Sequence, residues 1–170
     1  MTQNKKESLK NLIKAGNYDF VNDNINDKNF PNFQDMPSGK VELLHFDRYI
    51  TSEEAIKEME SKGMRPANLK ELLVFGKEYP EEQRKYPIVA LGSVWRSLLG
   101  DRSVPVLWGD VSGRHLYLYW FDCGWGAFDR FAGVRQVASD TLTLGKENNL
   151  EKRVANLEEV VDKLRKFLII

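Results

Sequence analysis

Lysine, glutamate, glutamine and methionine are missing from the fifty residues between Tyr86 and Arg135. The other 120 residues contain fifteen Lys, fourteen Glu, four Gln and four Met. An even distribution of these 37 residues would place roughly eleven of them in the window. The window therefore lacks lysine and glutamate, which usually cover a solvated surface, and its five arginines are its only long charged side chains.

Cysteine and histidine are scarce, which limits the chemistry open to the chain. With one cysteine, Cys123, no disulfide forms within the chain, and a lone thiol fits a reducing compartment or a surface position. The histidines are His45 and His115, so the sequence has neither a zinc-ligand cluster nor a local Cys–His nucleophile. We expect no metal site and no cofactor, and the fold must be held by its core.

Motifs that bind phosphate or calcium are also missing. The glycines of the window match neither a phosphate-binding loop nor a strand-linked dinucleotide fingerprint. Its aspartates are separate acids rather than a calcium loop: Asp101, Asp110, Asp122 and Asp129. Since no catalytic constellation is visible, we expect the protein not to be an enzyme.

Long apolar runs and net charge are absent too. The first ten residues lack the apolar core of a signal peptide, and no window reaches the eighteen apolar residues of a membrane span. The formal net charge is zero, so no global field attracts nucleic acid or an anionic membrane. We expect no nucleic-acid partner, no membrane span and a cytoplasmic or virion-associated location.

Aromatic and short polar residues fill the window instead. Tyr and Trp give a large contact area with few rotatable bonds, while Ser, Gly and Asp adapt their hydrogen bonds, a mixture typical of binding surfaces. All four tryptophans of the chain lie here: Trp95, Trp108, Trp120 and Trp125. The composition therefore favours a binding module.

Residues 1–40 are predicted to form a short helix over 2–15, ended by Gly16, and an irregular connection over 17–40. Three aromatic residues should pin this connection to the domain: Phe20, Phe30 and Phe33. A strand at 41–46 then opens the main domain, which we place at 41–140.

Two helices are predicted before the window. Thr51 with Glu54, and Asn68 with Glu71, form capping boxes, in which each side chain bonds an unpaired amide at the helix start. Gly63 lies where a left-handed cap should end the first helix.

Three strand-like runs follow: YPIVALGSVW, SVPVLW and HLYLYWF. The last alternates strictly, with period two. Its pattern places Leu116, Leu118 and Trp120 in the core. It leaves the other face available for binding, with His115, Tyr117, Tyr119 and Phe121. The alternative is that another layer of the same domain covers these aromatic residues.

A charged segment at 146–170 carries an a/d heptad pattern. Its apolar positions are Leu150, Val154, Leu157, Val161, Leu164 and Leu168. This pattern predicts a coiled coil of about three heptads, through which the chain self-associates or binds a partner helix. The alternative is a helix that packs back on the domain.

Short motifs in the window resemble the variable proteins of diversity-generating retroelements. These are GSVW, G-x-R-x-V-P-V-L from Gly100, R-x-L-x-L-x-W from Arg114, Trp125, and RFAGVR from Arg130. The preceding RPANLKELL resembles the second helix of the C-type lectin fold that carries those variable regions. The likeness spans about residues 41–135. It implies an α+β, C-type lectin-like fold with two helices and a small mainly antiparallel sheet, to which the heptad pattern adds a C-terminal helix.

The resemblance also implies a mechanism of variation. In that family a reverse transcriptase copies a template with errors at adenines, and the altered copy replaces part of the variable gene. Codons of AAC or AAT type become any base, any base, pyrimidine, a set that cannot encode Lys, Glu, Gln, Met or Trp. The missing residues would follow, and the surface would bind an unknown macromolecule, with a protein as the expected class.

Carried over by position, the motifs divide the window into framework and variable residues. The implied framework is Trp95, Gly100, Arg102, Val104, Pro105, Leu107, Arg114, Leu116, Leu118, Trp120, Trp125, Arg130 and Phe131. The implied ligand-binding, variable residues are Arg96, Ser97, Leu98, Leu99, Asp101, Ser103, Gly109, Asp110, Ser112, His115, Tyr117, Tyr119, Phe121, Asp122, Cys123, Gly126, Phe128 and Asp129.

Two features depart from the family pattern. Trp108 has no place in the motifs and cannot come from a pyrimidine-ending codon, and about 35 residues follow a region that closes the chain in typical members.

Two other classes of function stay open. One is an enzyme on a formylglycine-generating type of scaffold, whose catalytic cysteine pair is absent here; the other is a structural protein assembled through the C-terminal helix.

Overall fold

The computed structural model describes residues 7–136 and, further along the chain, Val154 alone. This part of the protein contains four helices: α1 (Leu9–Gly16), α2 (Ser52–Ser61), α3 (Leu69–Glu78) and α4 (Glu82–Lys85). Its strands are β1 (Phe20–Val21), β2 (Val41–Leu44), β3 (Met64–Pro66), β4 (Ile88–Val89), β5 (Trp95–Arg96), β6 (Arg102–Asp110), β7 (Gly113–Trp120) and β8 (Arg130–Arg135). The fold is mixed α+β, and the predicted heptad segment, apart from Val154, lies outside the described residues.

The eight strands form one open mixed sheet in the order β1-β7-β6-β4-β8-β2, with β3 also paired to β8 and β5 to β6. The pairs β1–β7 and β4–β8 are parallel, and the others are antiparallel. The long β6–β7 hairpin lies between the short strands β1 and β4. It is the largest regular surface of the sheet.

Both predicted capping boxes are confirmed. The Thr51 side chain accepts the Glu54 amide at the start of α2, and Asn68 does the same for Glu71 at the start of α3. Each glutamate in turn accepts the amide of its capping residue. Gly63 follows α2 with φ of +68°, as expected of a left-handed cap. Local sequence therefore determines these helix starts.

The N-terminal segment belongs to the same compact unit, which ends at Arg135. The predicted first helix is present as α1, which begins after the Ser8 cap and packs against α3. The prediction that Gly16 ends it is wrong, because Gly16 is helical and Asn17 adopts the left-handed cap with φ of 50°. Phe30 and Phe33 are buried as predicted, but Phe20 is exposed. Phe20 still holds the connection to the domain, but from outside the core, because β1 pairs in parallel with β7 and its ring contacts those of His115 and Tyr117.

The sheet separates two hydrophobic cores. On one face Leu107, Leu116 and Leu118 pack with residues of α1 and α3, among them Leu9, Leu12, Leu69, Leu72 and Leu73. On the other face Val104, Val106 and Phe131 pack with residues of α2, which include Ala55 and Met59. Each face of β6 therefore meets a different helix layer.

The apolar run YPIVALGSVW is not the single strand that we predicted. It contributes β4 at Ile88–Val89 and β5 at Trp95–Arg96, separated by a bend. At the bend, the Gly92 amide donates to the Ala67 carbonyl at 2.9 Å, and a Cβ on Gly92 would lie 2.6 Å from that oxygen. This close backbone approach requires glycine and ends the strand early. Sequence reasoning also predicted none of β1, β3, α4 and β8.

Candidate ligand-binding face

The register of β6 and β7 determines which side chains share a face. Val106 lies opposite Tyr117, and Trp108 lies opposite His115. Directly paired residues point to the same side of a sheet, and neighbours along a strand point to opposite sides. Tyr119, Tyr117, His115 and Trp108 therefore lie on one face, whereas Leu118, Leu116 and Leu107 lie on the other.

The leucine face is closed by helices and by a buried arginine. Arg114 Nη1 donates to the Gly16 carbonyl at 2.6 Å, and Nη2 donates to the Gly76 carbonyl and to Gln83 Oε1, both at 2.9 Å. Its guanidinium also lies 5.1 Å from the Tyr18 ring. Burial raises the pKa of the Tyr18 hydroxyl, so it stays neutral beside Arg114. Arg114 thereby ties β7 to the ends of α1 and α3.

The opposite face is covered only at one end. Trp125 is buried there, its Nε1 donates to Ser52 Oγ at 2.8 Å, and that hydroxyl donates to the Phe121 carbonyl at 2.6 Å. Backbone bonds between Ile50 and Trp125 hold the same loop. These bonds seat the loop after β7 against the start of α2.

Two predictions about the burial of side chains are wrong because this face is covered only in part. Trp120, expected in the core, is 63% exposed, whereas Phe121, expected on the open face, is 5% exposed. The alternation of side chains is intact, since the Phe121 amide still donates to the Arg102 carbonyl. The burial differs because of the helices that pack on each face at this end of β7. The N-terminus of α2 covers Phe121, and the packing of α1 and α3 ends before Trp120. Trp120 lines a cavity of about 360 Å³ beside Trp95.

An open aromatic face remains between these covered regions; we define it as Phe20, Trp108, His115, Tyr117 and Tyr119. The Trp108 and His115 rings stack at 4.5 Å, and Phe20 lies 6.1 Å from His115 and 5.7 Å from Tyr117. Tyr117 is 39% exposed and Tyr119 is 50% exposed. The rings support one another, so they form a pre-organised surface.

A cavity of about 370 Å³ opens beside this face. Tyr119 and Trp125, two of its walls, have ring centroids 5.6 Å apart. The remaining described lining residues are Pro87, Val106, Trp108, Tyr117, Gly124, Gly126 and Asp129. Four of these nine lining residues are aromatic, and Asp129 is the acidic one.

Asp129 lies in an unusual electrostatic position. Its Oδ2 accepts the Gly126 amide at 2.7 Å. Burial raises the pKa of the Asp129 carboxyl, and this outweighs the opposing effects of the Gly126 amide and the Arg130 charge. The cavity thus holds a carboxylate whose charge is incompletely compensated.

Some of the variable residues implied by the sequence cluster in the structure, whereas others lie at separate places on the sheet. Asp110, Ser112 and His115 come together at the β6–β7 turn, where Ser112 Oγ lies 3.2 Å and Asp110 Oδ1 lies 3.4 Å from His115 Nε2. Hydrogen bonds from Ser112 lower the pKa of Asp110. At the opposite end of the two strands, Asp122 pairs with Arg102.

The β5–β6 hairpin exposes a small apolar tip. Ser97 Oγ accepts the Leu99 and Asp101 amides, each at 3.2 Å, and Gly100 adopts φ of +93° to close the turn. Leu98 and Leu99 are consequently fully or nearly fully exposed. This tip is separate from the open aromatic face.

Burial sorts the implied variable residues into three groups. The exposed residues are Arg96, Leu98, Leu99, Asp101, Asp110, Ser112, Tyr117, Tyr119, Asp122, Gly126 and Phe128. The half-buried residues are Ser97, Gly109, His115, Cys123 and Asp129. Ser103 and Phe121 are buried. The assignment of these two residues to an exposed face is therefore wrong, and a Cβ on Gly109 would contact the Gly113 and Gln83 carbonyls at 3.2 and 3.3 Å.

Sequence reasoning missed three contributors to the site. Phe20 lies outside the window, and only the parallel pairing of β1 with β7 brings it to Tyr117. Pro87 lines the cavity from the start of β4, and Trp108 occupies the open face although no motif includes it. Period two along β6 does place Trp108 on the face of Val106, a signal that was available in the sequence.

Comparison with known proteins identifies no relative: no family model, curated protein or solved structure matches the chain. Within residues 7–136 and at Val154, no helix has the length and apolar character needed to cross a membrane. In the same residues, no group of three or more His, Cys, Asp or Glu is placed to hold a metal ion.

Proposed function

We propose that the protein is a ligand-binding module of C-type lectin type, whose open aromatic face is diversified by a retroelement. Its target is a macromolecule, with protein as the expected class. The chain acts by surface complementarity and performs no catalysis. A rigid framework presents exchangeable aromatic and short polar side chains, and a few anchors supply most of the affinity.

The observation that carries this proposal is the split of β7 into alternate buried and exposed residues. Leu116 and Leu118 are buried. Tyr117 lies between them and Tyr119 follows Leu118 in the sequence, and both tyrosines are half exposed. Exposed strand positions normally carry charged or polar residues, and clustered exposed aromatic residues mark interaction sites. The whole window lacks Lys and Glu, so the exposure of aromatic rings here is systematic.

Burial of the implied framework supports the same proposal. Val104, Leu107 and Phe131 are almost completely buried, Arg114 is bonded to both helices, and Trp125 is anchored to Ser52. Substitution on the open face therefore leaves these contacts intact. Within the implied framework, Gly100 and Trp120 are exposed, and Trp95, Arg102 and Arg130 are half-buried. We assign Trp120 to the surface rather than to the core.

Self-association through residues 146–170 is a separate part of the proposal, based on the heptad pattern. Sedimentation of the full chain and of a chain truncated after residue 145 tests it. We expect the full chain to form an oligomer that the truncated chain does not form. An unchanged monomer would rule this part out.

The coding DNA tests diversification most directly. We expect codons ending in C or T at the exposed variable positions, a near-identical repeat that differs at adenines, and a neighbouring reverse-transcriptase gene. Purine-ending codons at these positions and no such repeat would contradict the proposal.

A display experiment tests the binding role. The full chain is displayed with Tyr117, Tyr119 and Phe128 randomised, beside a matched library at Leu116, Leu118 and Trp125. We expect the first library to stay folded and to yield binders to unrelated proteins, and the second to lose folded display. Equal loss of folding in both libraries would contradict a replaceable face.

A further inference from the structure

The cavity beside the open aromatic face combines rings with one acid. Trp108, Tyr117, Tyr119 and Trp125 line it together with the Asp129 carboxylate. Its described lining residues include no Lys or Arg. The negative faces of aromatic rings attract cations within about 6 Å of the ring centroid. The lining is therefore complementary to positive charge.

Arg130, the residue after Asp129, lowers the pKa of the Asp129 carboxyl through its charge, but its described hydrogen bonds go to main-chain carbonyls. The Arg130 guanidinium lies over the Tyr86 ring, 4.5 Å from its centroid. Its Nη1 donates to the Phe128 carbonyl at 2.9 Å and to the Asp129 carbonyl at 3.3 Å, rather than to the Asp129 side chain. Among the residues that the structure describes, the hydrogen bond that reaches this carboxylate comes from the Gly126 amide, at Oδ2. A ligand cation would supply the missing charge partner.

The kind of cation follows from the donors. Calcium takes six to eight oxygen ligands and magnesium prefers an octahedral set, whereas Asp129 is the only carboxylate among the described lining residues. Ring faces and apolar walls suit a weakly hydrated organic cation. A volume of about 370 Å³ lies near the lower end of small-ligand pockets, roughly 300–1,000 Å³. A cation of side-chain size fits this space.

We propose that this cavity is an aromatic cage for an alkylammonium group, with Asp129 as its counter-ion. The inference rests on the proposed binding role of the adjoining face and specifies the ligand chemistry there. Trp108, Tyr117, Tyr119 and Trp125 contact the alkyl groups, and the carboxylate sets the preference for positive charge. The group belongs either to a methylated lysine of a target protein or to a free choline-like molecule.

The first test compares choline with its uncharged isostere, 3,3-dimethyl-1-butanol. Each is titrated into the full chain while the indole N–H signals of the four tryptophans are followed by NMR. We expect choline to shift the Trp108 and Trp125 signals and to bind at least ten-fold more tightly than the isostere. Equal affinity for the two compounds would overturn the cage.

The second test removes the charge without changing the shape. Asp129→Asn keeps an oxygen acceptor for the Gly126 amide and should weaken choline binding at least ten-fold. Asp47→Asn is the matched control, since Asp47 is exposed, lies outside the cavity and has the positive φ that asparagine tolerates. Unchanged choline binding in folded Asp129→Asn would overturn the role of the carboxylate.

A further variant keeps the proposal testable if Asp129→Asn does not fold. Tyr119→Leu retains an apolar wall but removes a ring face, so choline affinity should fall several-fold while isostere affinity stays within two-fold. Equal losses for both compounds would indicate simple loss of packing and overturn the cage.

Peptides distinguish the two sources of the cation. Tighter binding of a trimethyllysine peptide than of choline, with the unmodified lysine peptide weaker, assigns the cage to a protein target. Tighter binding of choline assigns it to a free molecule. Choline binding without a diversified locus would support the cage and contradict the proposed diversification; a diversified locus without choline binding would contradict the cage alone.

Discussion

The two faces of the β6–β7 hairpin share one backbone, but one face is buried and the other is largely exposed. The leucine face is closed by α1 and α3 and tied to them by Arg114. The other face is closed only where Trp125 and the start of α2 reach it, and Tyr117 and Tyr119 remain open. Alternation assigns each side chain to a face, but the neighbouring layers decide whether that face is core or surface.

The difference shows how a stable domain presents a replaceable surface. Burial of the leucine face supplies apolar stabilisation that does not depend on the rings opposite. The aromatic residues of the open face are then constrained by contacts with one another and with Phe20. Changes on the two faces should therefore have very different effects on the free energy of unfolding.

The largest contrast is expected between two tryptophans. Trp125→Ala removes a buried ring and the Nε1 bond to Ser52, and should cost about 3–5 kcal/mol of stability. Trp120→Ala changes an exposed ring and should cost no more than about 1 kcal/mol. Urea unfolding of both variants measures the difference. Similar losses would mean that Trp120 belongs to the core, as its alternation alone suggests.

The next contrast separates neighbours on one strand. Leu116→Ala creates a cavity in the core and should cost about 2–5 kcal/mol. Tyr117→Ala removes a partly exposed ring and should cost about 1 kcal/mol or less, mostly from its contact with Phe20. Thermal unfolding followed by circular dichroism compares the two. A larger loss for Tyr117→Ala would show that the open face is structural.

Arg114 tests how the closed face is fastened. Arg114→Lys keeps the charge but cannot reach the Gly16 and Gly76 carbonyls with one planar fork. We expect a loss of about 2 kcal/mol, as for hydrogen bonds made by a charged group. Arg102→Lys is the control at a partly exposed arginine, which pairs with Glu53 and Asp122, and it should lose less. Denaturant midpoints measure both, and equal losses would contradict the anchoring role.

The smallest effect on stability is expected for Asp129→Asn, and it should depend on pH. Because burial raises its pKa in the folded protein, the carboxyl stabilises the fold most below its unfolded pKa, and this contribution is lost as pH rises through the folded pKa. Asp129→Asn should therefore match or exceed the parent in melting temperature at neutral pH. This advantage should vanish below the ordinary carboxyl pKa of 3.8. An Asp129→Asn variant that melts lower at neutral pH would contradict the burial effect.

Elements governed by local chemistry were predictable from the sequence. The capping boxes at Thr51 and Asn68 need only a residue and its third neighbour, so the starts of α2 and α3 were found. The early end of β4 was not, because it depends on the Ala67 carbonyl, distant in sequence, approaching Gly92. Only part of the open aromatic face could be predicted. The exposure of Tyr117 and Tyr119 follows from the period-two pattern, whereas Phe20 joins the face through the long-range pairing of β1 with β7.

By itself, the sequence determined the helix starts, the alternation along β7 and the lack of Lys, Glu, Gln and Met between Tyr86 and Arg135. These depend on neighbours a few residues apart or on composition. Tertiary structure alone decided that Phe121 is buried, that Trp120 is exposed and that Asp129 lies among aromatic rings. Burial is a property of the layers packed on a strand, and those layers come from distant parts of the chain.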